Sequence, residues 1–190
     1  MTCVTVLPSG PVAPHEIIWT VVVGGGSGTR FGRLKQYEHL GDRRVIDWSR
    51  AIAEQASNGV VVVVPAADAE RERAVAGGDS RSASVRAGLA SVPAEATIIC
   101  VHDAARPFAG IEIYERVVDA VADGADAAIP GVAVPDTIKV LHDVDGVLER
   151  VAGTSYQRTL QPWTYPASRI EAVTMERRLE QQAMVDYFHA

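Results

Sequence analysis

Ile17-Ile18-Trp19-Thr20-Val21-Val22-Val23-Gly24-Gly25-Gly26-Ser27-Gly28-Thr29-Arg30-Phe31-Gly32 is the stretch on which the fold turns. Its first seven residues are apolar or β-branched and contain no charge, which is how a strand buried on both faces reads. Glycines follow with no spacer. They let the backbone approach a ligand closely and turn N–H groups toward anionic oxygens. A strand running straight into such a loop puts the ligand beyond the carboxyl end of the strand, where open α/β sheets bind theirs.

Similar short runs recur at 60–64, 97–101 and 125–129. Helical patterns lie between them at 45–56, 66–74, 82–90 and 111–122, and a further helix is expected over 166–182. Strand–helix alternation of this kind predicts right-handed βαβ units, hence an α/β fold of three layers with a mostly parallel sheet. Residues 132–151 break the alternation: an extended segment, a turn ending in Asp145-Gly146, and a returning segment predict a projecting β-hairpin arm. A lone ribbon is marginally stable, so the arm is expected to pack on something, such as a second subunit. Pro8, Pro11 and Pro14 make residues 1–16 a leader without regular structure, and 17–190 a single domain.

The chain has 190 residues, with 18 Lys and Arg against 24 Asp and Glu. That acidic balance argues against a nucleic-acid partner, which would need a basic face. Two cysteines are too few for a disulfide framework, and Cys100 sits in an apolar run as a small buried hydrophobe. No apolar stretch reaches the roughly 18 residues of a membrane span. The expectation is a cytoplasmic protein without a membrane partner.

Three clusters carry candidate chemistry. The glycine loop lacks the Gly-Lys-Ser/Thr of a P-loop, and Phe31 stands where the dinucleotide fingerprint needs glycine. That spacing, and the lack of an acid about twenty residues on at the end of a second strand, leave a nicotinamide-dependent dehydrogenase a distant reading. Arg30, and Lys35 just beyond, add two cations to the amide donors, a setting suited to a triphosphate whose leaving group is pyrophosphate. The second cluster is Gly77-Gly78-Asp79-Ser80-Arg81-Ser82-Ala83-Ser84. Its glycines bring backbone against a flat base, Asp79 or Ser82 is expected to cap the next helix, and Ser84 falls on its first turn. The third, His102-Asp103-Ala104-Ala105-Arg106-Pro107, puts a carboxylate and a guanidinium directly after a buried strand. Asp103 suits Mg2+, directly or through water, and Arg106 suits a phosphate. An Asp–Arg pair stapling the loop is the plain alternative. His102 is expected to be a structural neighbour, not a base.

Taken in order, GGGSGTRFG with Lys35-Gln36, GGDSRSASVRAGL, VHDAARP and IPGVAVPDTIKV resemble the 2-C-methyl-D-erythritol 4-phosphate cytidylyltransferase family over roughly residues 17–165. The resemblance implies a nucleotidyltransferase-type, Rossmann-like sheet, a homodimer that exchanges hairpin arms, and Mg2+-assisted transfer of CMP from CTP to a polyol phosphate. By the same resemblance Arg30 and Lys35 are catalytic. Gly25, Gly26, Ser27, Gly28, Gly78, Asp79, Ser84 and Ala104 hold the nucleotide. Asp103, Arg106, Asp136 and Thr137 hold the acceptor, with Asp103 also the metal contact. The chain departs from the family in four places. Gly24 and Gly25 replace two alanines. Gly153 stands where an acceptor-binding Arg is expected. The Thr-Pro-Gln-x-Phe segment appears as Gln161-Pro162-Trp163-Thr164-Tyr165. Residues 176–190 match no family segment, so the C-terminal acceptor motifs are expected to be missing. A different acceptor, such as ribitol 5-phosphate, and a nucleotide-binding relative impaired in catalysis are the alternatives.

Overall fold

The computed structural model describes residues 2–5, 16–26, 32–133, 139–141, 148–150, 157–159 and 161–169. The strands are β1 (Thr2–Thr5), β2 (Ile18–Val23), β3 (His39–Leu40), β4 (Arg43–Arg44), β5 (Gly59–Val64), β6 (Val75–Ala76), β7 (Ile98–Asp103), β8 (Ala128–Ala133), β9 (Lys139–Leu141), β10 (Leu148–Arg150), β11 (Gln157–Thr159) and β12 (Trp163–Pro166). The helices are α1 (Val45–Ala56), α2 (Ala69–Glu72), α3 (Arg81–Leu89) and α4 (Ile111–Ala122). The main sheet has the order β1-β8-β12-β7-β2-β5-β6, with β11 also on β8. β7, β2, β5 and β6 pair in parallel. β12 runs antiparallel between β7 and β8, so β8 points the same way as the parallel set.

β2 lies at the centre, between β7 and β5. Its alternate side chains enter two different cores. Val22 packs with Ile46, Ala53, Val64, Cys100, Tyr114 and Val117 under α1 and α4. Val21 and Val23 pack with Val61, Val63, Ile99 and Val101 under α3. That is the three-layer arrangement the uninterrupted apolar run predicts. Cys100 is fully buried and accepts a hydrogen bond from the Thr164 hydroxyl, and burial pushes its thiol pKa up to about 11. It is a core residue, not a nucleophile. No described helix is long and apolar enough to cross a membrane.

Several expectations are corrected. Thr2–Thr5 is an edge strand against β8, so the leader has regular structure at its start; residues 6–15 lie outside the described residues. The 66–74 helix breaks into a 3-10 turn (Ala66–Asp68) and one α-turn. Arg73 closes it in the left-handed region (φ 50°), and Ala74 N–H donates to the Ala69 carbonyl. β8 begins three residues later than the 125–129 run and continues through Pro130. On one side the partner of β8 changes from β12 at Ala128 to β11 at Gly131, and Pro130 stands in that interval. α3 is capped by Ser80, whose Oγ accepts from Ala83 N–H at 3.1 Å, and not by Asp79 or Ser82. The hairpin appears as the antiparallel pair β9–β10, a separate two-stranded sheet. Of the helix expected over 166–182, only a 3-10 turn at Ala167–Arg169 is described, and the rest lies outside the described residues.

Candidate nucleotide site

The register levels the carboxyl ends of the central strands, because Val23 is opposite both Val63 and Asp103. Three loops therefore leave the sheet side by side. Each is tied to its neighbour by one backbone bond: Gly24 N–H to Val63 O (2.7 Å), Gly77 N–H to Val64 O (2.7 Å) and Ala104 N–H to Val23 O (2.9 Å). The glycine loop, the Gly77-Gly78 segment and the Asp103–Arg106 turn meet at one edge for this reason.

Gly25 and Gly77 approach the Ser84 hydroxyl from two sides. A Cβ added to Gly25 would lie 2.7 Å from Ser84 Oγ, and one on Gly77 2.8 Å. Ser84 is buried, accepts from Gly78 N–H at 3.2 Å and donates to Gly78 O at 3.4 Å. The expected nucleotide residues Gly25, Gly78 and Ser84 thus form one wall, with Gly26 and Asp79 exposed on its rim. Ala104 is fully buried beneath Gly24, and its carbonyl accepts from Ser49 Oγ at 2.8 Å. It supports the loop from below. Ser27, Gly28, Arg30, Asp136 and Thr137 lie outside the described residues.

Lys35 is exposed on a 3-10 turn (Lys35–Tyr37) whose other two residues are anchored. Gln36 is buried and its amide donates to the Gly26 carbonyl at 3.3 Å, tying this turn to the glycine loop. The guanidinium groups of Arg44 (5.5 Å) and Arg71 (5.2 Å) both lie against the Tyr37 ring. Burial and the Asp68 carboxylate push its phenol up to about 12. Arg44 in turn bonds Asp47 (2.8 and 2.9 Å) and Glu72 (2.9 Å), and holds both carboxyls below their ordinary pKa.

Asp103 is held from several directions. Gln161 Oε1 accepts from its backbone N–H (2.8 Å), and Gln161 Nε2 donates to Oδ2 (2.9 Å). Arg81 Nε lies 2.9 Å from Oδ1, with its guanidinium over the Trp163 ring at 4.9 Å. Arg106, expected to meet a phosphate, forms the looser pair at 3.7 Å to Oδ2. Sequence reasoning singled out neither Arg81 nor Gln161, although both stand inside stretches quoted above. Their signal is spatial, since Asp103 gathers them from α3 and from the segment before β12. No group of three or more His, Cys, Asp or Glu able to hold a metal occurs among the described residues. One carboxylate fits Mg2+ that keeps its waters and takes its remaining ligands from phosphates. Arg81 already sets a positive charge against Asp103 Oδ1.

His102 is fully buried, and its Nε2–H donates to the Arg106 carbonyl at 3.1 Å, closing the Asp103–Arg106 turn. Its Nδ1 and the nearby Tyr114 hydroxyl are buried without a hydrogen-bond partner among the described residues. Burial lowers the imidazole pKa to about 4, which suits a structural neighbour and not a base at neutral pH. The ordinary value is 6.5, so the unfolded chain takes up a proton between pH 6.5 and 4 while the folded chain does not. The stabilising contribution is complete above pH 6.5 and is lost as pH falls toward 4, up to roughly 3 kcal/mol. Melting temperatures from pH 7.5 to 4.5 are expected to fall less steeply in His102→Gln than in the parent protein. Parallel slopes would mean that the acid sensitivity arises elsewhere.

A level carboxyl edge bearing a glycine loop, a lysine turn and an aspartate beyond the central strands defines an α/β protein of the nucleotidyltransferase type. The fold agrees with 4-diphosphocytidyl-2C-methyl-D-erythritol synthase from Anaerococcus prevotii: TM-score 0.74, 19% identity, 86% of this chain and 76% of that one. It also agrees with 2-C-methyl-D-erythritol 4-phosphate cytidylyltransferase from Thermus thermophilus: TM-score 0.69, 23% identity, 88% and 78% covered. The chain belongs to the 2-C-methyl-D-erythritol 4-phosphate cytidylyltransferase (IspD) family, whose pattern it matches over residues 18–187. That match passes well beyond residue 165, and so corrects the expectation that nothing after 175 resembles the family. A bifunctional enzyme IspD/IspF from Anaeromyxobacter dehalogenans is 40% identical over 159 residues, 76% of this chain and 40% of that one. A 2-C-methyl-D-erythritol 4-phosphate cytidylyltransferase from Rubrobacter xylanophilus is 37% identical over 160 residues, 76% and 68% of the two chains. The chain thus spans about two fifths of the bifunctional relatives and about two thirds of the single-function one.

Proposed function

We propose that the protein transfers CMP from CTP to 2-C-methyl-D-erythritol 4-phosphate, releasing pyrophosphate, as a step of isoprenoid synthesis. The observation that carries this reading is the meeting of Gly25, Gly77 and Ser84 beside Asp103 at one sheet edge, in a chain of this family. The Gly25 and Gly77 backbones, packed on each other and on Ser84, present a surface free of side chains on which a flat pyrimidine can lie. An oxygen of the acceptor phosphate attacks the α-phosphorus in line as the bond to the bridging oxygen breaks, and pyrophosphate leaves with the electron pair. Arg30 and Lys35 hold the triphosphate and meet the charge that builds on it. Arg106 and the arm residues Asp136 and Thr137 receive the acceptor, the arm coming from the second subunit of a homodimer. Mg2+ carried by the triphosphate, with Asp103 as its protein contact, supplies further positive charge.

The test is pyrophosphate release from CTP, ATP, GTP or UTP, each offered with methylerythritol 4-phosphate or ribitol 5-phosphate. Release is expected with CTP and methylerythritol phosphate. Faster release with ribitol phosphate would reassign the acceptor. Calorimetric CTP binding without release from any pair would leave a nucleotide-binding relative that does not catalyse.

A further inference from the structure

We propose that Gln161 is the positioning residue of Asp103, an inference that rests on the reaction proposed above. The residue is 4% exposed, and both ends of its amide bond one neighbour. Oε1 takes the Asp103 backbone N–H and Nε2 gives a hydrogen bond to Oδ2. Main chain and carboxylate are gripped together, which fixes the side-chain torsions of Asp103 as well as its backbone. The residue type follows from what Asp103 presents. A donor N–H and an acceptor oxygen together require a group that both accepts and donates, and a primary amide does so without charge.

The other contacts of Asp103 differ in kind. Arg81 and Arg106 have side chains 42% and 50% exposed, and exposed ion pairs are weak and exchange readily. A cation arriving from solution can replace Arg81 at Oδ1, whereas Gln161 is buried behind the carboxylate. Oδ2 stays pinned while Oδ1 changes partner, so the carboxylate keeps its aim through the exchange. Holding the sheet together does not need this amide. β12 already pairs with β7 along Trp163↔Val101, Thr164↔Cys100, Tyr165↔Ile99 and Pro166↔Ile98. Residues that orient a metal-contacting carboxylate typically matter about 10–100-fold.

The experiment compares the full chain with Gln161→Leu, Asp103→Asn and the double variant. Pyrophosphate release, affinity for Mn2+–CTP by electron paramagnetic resonance, and melting temperature are measured for each. Gln161→Leu is expected to lower kcat about 10–100-fold. It should weaken Mn2+–CTP binding, and it should cost nothing further in the Asp103→Asn background. Additive losses in the double variant, or a lowered melting temperature with kcat unchanged, would overturn the proposal and leave Gln161 a structural staple. Should Gln161→Leu fail to fold, Gln161→Glu keeps the volume and the acceptor but loses the donor, and goes through the same cycle. Should the parent protein turn over no acceptor, the function proposed above fails separately. Equal Mn2+–CTP affinity in parent and Gln161→Leu, or none in the parent, would then overturn the positioning role as well.

Discussion

Lys35→Ala is expected to lower turnover by about a hundred- to a thousandfold while the dissociation constant for CTP rises only several-fold. The asymmetry follows from where the charge builds. Ground-state CTP already carries its triphosphate charge, and a cation that met only that charge would change binding and turnover alike. Charge that accumulates on the departing pyrophosphate as the bond breaks is met more strongly by a cation held in place. The holding is visible in the two residues that follow the lysine. Gln36 bonds the Gly26 carbonyl, and Tyr37 packs against the guanidinium groups of Arg44 and Arg71. Removing the ammonium group therefore leaves the turn where it was. Arg30→Ala is expected to behave in the same way. The check is steady-state pyrophosphate release beside calorimetric CTP titration for each variant. Equal losses in both would make these residues binders of ground-state phosphate only.

The part of this site that was legible from sequence is the part in which a single segment carries its own reason. The run into Gly24 is uninterrupted because both faces of β2 are covered, and the chain must leave the sheet where the glycines begin. The bounds of α1 and α4 were legible for a similar reason, since each presents one apolar face to the core, Ile46 and Ala53 in one and Tyr114, Val117 and Val121 in the other. Ser80 was harder to pick out as a cap. Asp79, Ser80 and Ser82 are all competent caps, and the choice depends on Gly78 being pinned by Ser84, a residue of the helix itself.

What sequence could not supply is contact between distant segments. Trp163, Thr164 and Tyr165 favour a strand, but a run of four residues ending in proline is too short to define one alone. They become one because β7 and β8 leave a gap between them that an antiparallel strand fills. Gln161 reaches Asp103 only because β12 lies there. β6 is two residues long and exists because the loop after Arg73 returns beside Val63 and Val64. His102 read correctly as a structural neighbour, but its unusual acidity comes from burial under Tyr114 and not from anything adjacent in the chain.

Gly88→Ala sets two effects of opposite sign against each other inside α3. Alanine is favoured over glycine in a helix interior by about 1 kcal/mol, so an exposed replacement would stabilise. Gly88 is buried, and a Cβ there would lie 2.4 Å from Val21 Cγ1 and 2.8 Å from Val63 Cγ2. Both obstacles are methyl groups on the central strands, and Val21 and Val63 are fully buried with no room to turn aside. The helix must lift, at an overpacking cost of about 1–3 kcal/mol, or more where the contact is this short. Overpacking wins, with a net loss of up to about 2 kcal/mol and a melting temperature lower by roughly 4–8 °C. Function follows the helix. Ser84 is one turn earlier and Arg81 opens it, so lifting α3 opens the Gly25–Gly77–Ser84 wall and weakens CTP binding. Val21→Ala removes the nearer methyl. In the double variant the two losses should therefore sum to less than their parts. Thermal melting and CTP titration of the four proteins decide it, and a Gly88→Ala protein that melts higher than its parent would show that the helix is not pressed against the sheet at this point.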